Sequence, residues 1–262
     1  MIVSIEVPAD DPLFEGHFPG RPILPGISEL VLVARALPHP SGPASVCAIP
    51  FARFRGLVVP SDVLQISVEP RGEGGVRFEV RRAAELVANG AMTLGAPPVE
   101  DGGATAVASR APLGAPSLRE LIPHRPPMLF VERIVGVAED GATCLGRVPG
   151  DCALVADGTT PAFVALEAAA QTAAVWEALR RPRASVLEEP RMGYLVSLKD
   201  IVLHRITIPA DADLIASVRL VAEAAALTTY AVEVIVEGTL ALRGTIGTYL
   251  SDRPDGSPAT AL

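Results

Sequence analysis

The chain has 262 residues, 49% of them hydrophobic and only 20% charged, which excludes a disordered polymer and leaves either two domains of about 100–150 residues or one large domain. A formal net charge of −8 argues against a broad nucleic-acid footprint, which needs a basic face to neutralise phosphates. Cys47, Cys144 and Cys152 form no CxxC pair, so neither a disulfide framework nor a zinc site is signalled.

No Gly-rich phosphate loop points to a nucleotide cofactor. The longest apolar candidate, residues 163–179, carries Glu167, Gln171 and Glu177, so no membrane span is expected. The N-terminal residues lack the basic start, apolar middle and small-residue cleavage site of a signal peptide, which implies a cytoplasmic protein.

In chain order, the first helix signal covers residues 24–37, opened by Pro25-Gly26 and followed by Pro38, the placement of proline that helices favour at start and stop. Strand patterns follow over 44–54, 63–69, 76–82 and 85–94, separated by Pro-Ser-Asp and Gly-Glu-Gly-Gly turns. Residues 95–117 are dense in Gly, Ala, Pro and Ser and show neither period. They read as a linker whose coil span, about 25–30 Å, suits two domains side by side. A second helix is expected over 161–179, with strands over 193–208, 213–222, 228–237 and 240–250 and a polar tail over 252–262. The expected domains are therefore 1–94 and 118–251.

The two halves repeat one order of elements. Pro60-Ser61-Asp62 answers to Pro209-Ala210-Asp211 ahead of a strand, and Pro25-Gly26 to Pro161-Ala162 at the helix starts; the extra loop 181–191 accounts for the difference in spacing. A helix followed by consecutive strands predicts an α+β fold in which an antiparallel sheet wraps each helix.

Chemistry concentrates in Phe14-Glu15-Gly16-His17-Phe18-Pro19-Gly20-Arg21-Pro22-Ile23-Leu24-Pro25-Gly26. Its prolines and glycines restrict the backbone, so the His17 imidazole is presented from a stiff platform, as suits a positioned base. The Gly26 N–H falls at a helix start, where unpaired donors and the positive dipole end can hold a carbonyl oxygen as negative charge develops.

This loop resembles the F-x-G-H-F-P-x-x-P-x-x-P-G signature of the hotdog-fold 3-hydroxyacyl-ACP dehydratases of the FabZ/FabA type. The resemblance implies a catalytic His17 and an acid 14 residues later on the helix, but that position holds Val31. Glu29 stands two residues early, about 200° around a helix, and is expected to point elsewhere. The second half supplies the acid: Ala165-Leu166-Glu167-Ala168-Ala169-Ala170-Gln171 is similar to the family's E-A-x-A-Q helix, with Glu167 at the acid position and Ala153 where the His would stand.

Leu121-Ile122-Pro123-His124-Arg125-Pro126 resembles the family's L-P-H-R-x-P first strand, and Ala52-Arg53-Phe54 with Val59-Pro60 a later strand and turn. The family's paired domains share each site, His from one and acid from the other. Carried onto this chain, that implies a double hotdog, a pseudodimer with one composite site, His17 with Glu167, and one degenerate site, Val31 with Ala153. The second half especially resembles a helper subunit of the paired dehydratases of aryl polyene synthesis.

The expected activity is dehydration of a (3R)-3-hydroxyacyl thioester carried by an acyl carrier protein. His17 takes the C2 proton, and Glu167, expected protonated in its apolar surroundings, serves the leaving hydroxyl while Gly26 polarises the carbonyl. No metal or organic cofactor is implied. Gln171, one turn after Glu167, could orient that carboxyl or serve as a plain polar residue. Arg21, Arg53, Arg55 and Arg125 are candidates for gripping the carrier protein or its phosphopantetheine. His39, His124 and His204 read as structural. Acyl-thioester hydrolysis and a non-catalytic, carrier-binding scaffold remain as alternatives, and further homo-oligomerisation is open.

Overall fold

A computed structural model describes residues 1–37, 45–99, 117–180 and 192–251. Most of the expected linker, the turn around His39, the loop 181–191 and the C-terminal tail lie outside the described residues. The first half contains β1 (Ile2–Glu6), α1 (Gly26–Ala36), β2 (Val46–Phe54), β3 (Val63–Arg71), β4 (Gly75–Arg82) and β5 (Glu85–Leu94). The second opens with the one-turn α2 (Leu118–Leu121), β6 (Val131–Ala138), β7 (Gly141–Gly146) and the short β8 (Thr159–Pro161). It continues through α3 (Leu166–Arg180), β9 (Gly193–Leu203), the short β10 (Thr207–Pro209), β11 (Leu214–Ala224), β12 (Leu227–Val236) and β13 (Thr239–Leu250).

One antiparallel sheet runs β1-β3-β4-β5-β2-β9-β13-β12-β11-β7-β6, with β8 and β10 paired separately. The order is nearly symmetric about the β2–β9 seam, where Ala48 faces Val202, Ile49 faces Ile201 and Arg53 faces Ser197. On this sheet α1 packs against β3 and β4, and α3 against β7, β11 and β12. The fold is a double hotdog. In α1, Ile27, Leu30, Val31 and Val33 are all buried, covering most of its circumference, as in a helix enclosed by its own sheet.

The N-cap prolines of the two helical segments, Pro25 (φ −56, ψ 138) and Pro161 (φ −53, ψ 134), confirm the repeat at the helix starts. At the strands the equivalence shifts by one residue from the sequence expectation. Leu64, Ile66 and Val68 are buried on β3, and Leu214, Ala216 and Val218 on β11. Ser61 and Asp211 both take left-handed turn conformations and donate their N–H groups to Val7 and Val148. Burial parity fixes register more firmly than a proline in a turn, because a one-residue slip would put a strand's apolar set in water.

Three elements depart from expectation. The second helix opens with a 3-10 turn, Ala162–Ala165, before α3 proper. The strand expected over 193–208 stops at Leu203. The L-P-H-R-x-P segment is not a strand: chain 122–130 is irregular and β6 starts at Val131, because Pro123, Pro126 and Pro127 offer no N–H to a ladder.

That irregular segment docks on the His17 loop. The Arg125 N–H donates to Gly16 O at 2.9 Å. Gly16 has φ +77, and a Cβ there would fall 2.1 Å from Arg125 O. Only glycine supplies both the left-handed backbone and the clearance. Gly16→Ala should therefore destabilise the protein by at least about 2 kcal/mol, read as a lowered urea midpoint; an unchanged midpoint would show that the two loops are not held together at this contact.

Candidate active site

A 3-10 turn, Pro12–Phe14, leads into the His17 loop. The loop reverses through Gly16, Phe18 (φ 61) and Gly20, all left-handed. Phe18 in this conformation is sterically unusual for a bulky residue. It is held by packing, its ring lying 4.1 Å from His17, 5.1 Å from His124 and edge-on to Tyr194 at 6.1 Å. Nδ1 of His17 lies 2.7 Å from Ile23 O. A carbonyl can only accept, so Nδ1 carries the proton and Nε2 keeps its lone pair.

Glu167 enters from the second half on the first turn of α3 and is 4% exposed. Its Oε1 receives Nε2 of Gln171 at 3.1 Å and lies 3.3 Å from Nε2 of His124. Gln171 is fully buried, its amide bonded to that carboxyl. Its Nε2 also donates to Met128 O at 2.7 Å, and its Oε1 accepts the Phe130 N–H at 2.9 Å, tying α3 to the start of β6. His124, expected to be structural, is instead a buried neighbour of both groups, its ring 5.3 Å from that of His17.

His17, His124 and Glu167 bring donor atoms within 4.8 Å of one another. That spacing matches a two-histidine, one-carboxylate ligand set as well as an acid–base cluster. Burial first, and then the adjacent His124, push the His17 imidazole down to about 4, against smaller opposing effects of Glu167 and Ile23. Burial drives Glu167 upward, but the His124 hydrogen bond, the charges of His124 and His17 and the Gln171 amide together hold it below the ordinary carboxylate range. The expectation of a carboxyl kept protonated by apolar surroundings is thus corrected: its polar partners outweigh its burial.

These groups open into a cavity with about 1060 Å³ of atom-free space, its mouth included, lined also by Gly26, Phe54, Leu57, Ala170 and Ala174. Gly26 occupies the first position of α1, where a Cβ would press on the Phe54 ring at 3.3 Å. Glu29, expected to point away, lines this cavity too. The helical angle from Val31 was sound, but the cavity borders the face that carries Gly26, and Glu29 is one turn from Gly26. Val31 itself is in the core, and Ala153 is half-buried against it.

The four arginines separate. Arg125 spends its guanidinium on the carbonyls of Ile122, Pro123, His124 and Arg119, which shapes its own loop. Arg55 bonds Asn89, Arg21 reaches Met192 Sδ at 3.6 Å, and Arg53 is exposed. His204 lies just beyond β9 and does not line the cavity.

A hotdog dehydratase is the class that this fold and site define. The ApeP-like family, described as ApeP dehydratase, matches residues 116–258, and the ApeI-like family, described as ApeI dehydratase, matches residues 1–91. The chain belongs to the ApeP-like dehydratase family, with an ApeI-like first half. It is 40% identical over 100 residues to the 3-hydroxyacyl-[acyl-carrier-protein] dehydratase FabZ of Anaplasma phagocytophilum, covering 33% of this chain and 69% of that protein. It is also 40% identical over 86 residues to the FabZ of Pelotomaculum thermopropionicum, there spanning 30% of this chain and 61% of the relative. A trans-AT PKS dehydratase domain from Brevibacillus brevis shares the fold, with a TM-score of 0.71, 15% identity and coverage of 96% of this chain and 94% of that domain. Among the described residues no helix is long and apolar enough to cross a membrane.

The depressed His17 predicts a pH effect on stability. Unfolding releases a histidine that binds a proton near 6.5, whereas the folded ring stays neutral down to about 4. The unfolded state then binds more protons, so stability is full above about pH 6.5 and falls as pH drops toward 4, by about 3 kcal/mol in all. Thermal denaturation between pH 7 and 4 should show a flatter decline for His17→Gln than for the wild type. Parallel curves would mean that the imidazole is protonated in the folded protein.

Proposed function

We propose that the protein converts (3R)-3-hydroxyacyl-ACP to trans-2-enoyl-ACP and water at one composite site, within a fatty-acid, polyketide-like or aryl polyene pathway of the cytoplasm. The observation that carries this reading is that the histidine of one half and the glutamate of the other meet in a single cavity, while their counterparts Ala153 and Val31 offer no chemistry.

Elimination needs a base for the weakly acidic C2 proton and an acid for the poor leaving group at C3. Neutral His17, with Nδ1 anchored on Ile23, presents Nε2 as the base. The acid is delivered from the Glu167–His124 contact, 3.3 Å long: a proton from that pair goes to the departing hydroxyl, which leaves as water. The C2–H electron pair becomes the new double bond as the C3–O bond breaks. His17 then returns its proton to the Glu167–His124 pair, and the site is reset. Gly26 donates its N–H to the thioester oxygen as charge develops there. Gln171 holds the carboxyl through bonds that do not touch substrate, which makes it a positioning residue. Arg21 and Arg53, beside the His17 loop and on β2, are the remaining candidates for contact with an acidic carrier protein.

The reading is tested by incubating the protein with 3-hydroxyacyl-ACP and following enoyl absorbance and free thiol together. Enoyl product without thiol release is expected; thiol release without enoyl product would make it a hydrolase, and neither would leave a carrier-binding scaffold. His17→Ala and Glu167→Gln should each lower kcat at least about a hundredfold, the scale of positioned acid–base groups. His124→Asn should cost at least about tenfold and shift the pH profile, because Glu167 loses a hydrogen bond that holds it low. A His124→Asn enzyme with the rate and pH profile of wild type would return His124 to a structural role.

A further inference from the structure

The proposed reaction leaves two cavity carboxylates unused, Glu29 and Glu177; Glu177 is engaged by Tyr230 and Arg180, whereas Glu29 is not so paired. Glu29 sits in the first turn of α1, is 3% exposed, and its Oε2 is buried with no hydrogen-bond partner. Burial alone pushes its carboxyl up to about 8, with no cation or donor acting against it. Glu167 faces the same cavity and is held low by His124 and Gln171. The two carboxyls therefore occupy different electrostatic settings.

A buried polar group without a partner destabilises a fold. Its neighbours on α1, Ile27, Leu30 and Val31, are apolar and buried, so an apolar side chain would suit this helix better. What Glu29 lacks in the fold, a molecule in the cavity can supply. Its place limits which part of that molecule it meets. Gly26 marks the thioester oxygen in the proposed reaction, and Glu29 lies three residues on, about 4.5 Å further along the helix axis. Phe54 and Leu57 line the cavity from the same half, with Ala170 and Ala174 from the other. These apolar walls suit a hydrocarbon chain better than the two amides of a pantetheine arm.

We propose that Glu29 is a specificity-determining residue that hydrogen-bonds a second oxygen carried on the acyl chain, so that the enzyme prefers oxygenated 3-hydroxyacyl thioesters over plain ones. This rests on the dehydratase reading of the same cavity. Both donor and acceptor capacity are available from a protonated carboxyl, so a hydroxyl or a carbonyl on the chain would be recognised.

The test measures kcat/KM for plain 3-hydroxyacyl pantetheine thioesters and for matched chains bearing one more hydroxyl at the fifth, seventh or ninth carbon. Wild type should favour at least one hydroxylated chain, and Glu29→Leu should cut that preference at least about tenfold, while Glu29→Gln, which still hydrogen-bonds, keeps most of it. Without substrate, Glu29→Leu should raise the melting temperature, since it removes an unpartnered buried carboxyl; a lowered melting temperature would show that the group has a structural partner and overturn the inference.

An unchanged preference in Glu29→Leu overturns it as well. Equal losses on plain and hydroxylated chains that vanish with N-acetylcysteamine thioesters would assign Glu29 to the pantetheine arm instead. A hundredfold loss on every substrate in Glu29→Gln would make it the proton donor and displace Glu167. If wild type forms no enoyl product from any thioester, the dehydratase reading itself falls, a result distinct from dehydration without preference.

Discussion

The structure depends on keeping a carboxylate partnered where water does not reach. Glu167 stands at the start of a helix enclosed by apolar residues, and an unpaired charge there would be strongly destabilising. Its partners come from different directions: Gln171 from the next turn of α3, His124 from the irregular segment before β6, and the His17 charge from the other half of the chain. None of these suffices alone. Within the fold, α3, the irregular segment and the first-half loop together hold the carboxylate below its ordinary range, so the site and the fold support each other.

The two halves differ at the positions that the proposed composite site uses. Val31 and Ala153 stand where the proposal would need a second acid and histidine, and Val31 joins the core. The β2–β9 seam and the Arg125–Gly16 contact link the half that carries His17 to the half that carries Glu167. Covalent linkage keeps the unlike halves together at a high effective concentration. Of the three carboxyls that line the cavity, Glu29 is shifted in the direction opposite to Glu167. Two glutamates of ordinary intrinsic acidity are thus driven apart by their neighbours, one by polar partners and one by the lack of them.

Much of this was legible in the residues. The hairpin strands of both halves showed as period-two patterns between turn residues, and both helices lay between prolines. Edge strands fared worse: β1 alternates half-buried and exposed residues only, so its apolar pattern is faint, and β6 was hidden behind a proline-rich segment read as its beginning. The contact of His124 with Glu167, 43 positions away along the chain, was not legible, because nothing local distinguishes this residue from a histidine in an ordinary loop. Its place between prolines, which bar a regular strand and leave the imidazole to be set by loop packing, was the available signal.

Sequence by itself determined the repeat, the antiparallel fold class and the stiff loop that presents His17, because these are properties of backbone preference, periodicity and spacing; the pairing of His17 with Glu167 was implied by family resemblance. The tertiary structure decided which protonation states those groups hold and which further residues join them. Desolvation and hydrogen bonding act through space, so whether Glu167 is held low, Glu29 is pushed high or Gln171 spans α3 and β6 depends on neighbours that only the packed sheet and helices bring together.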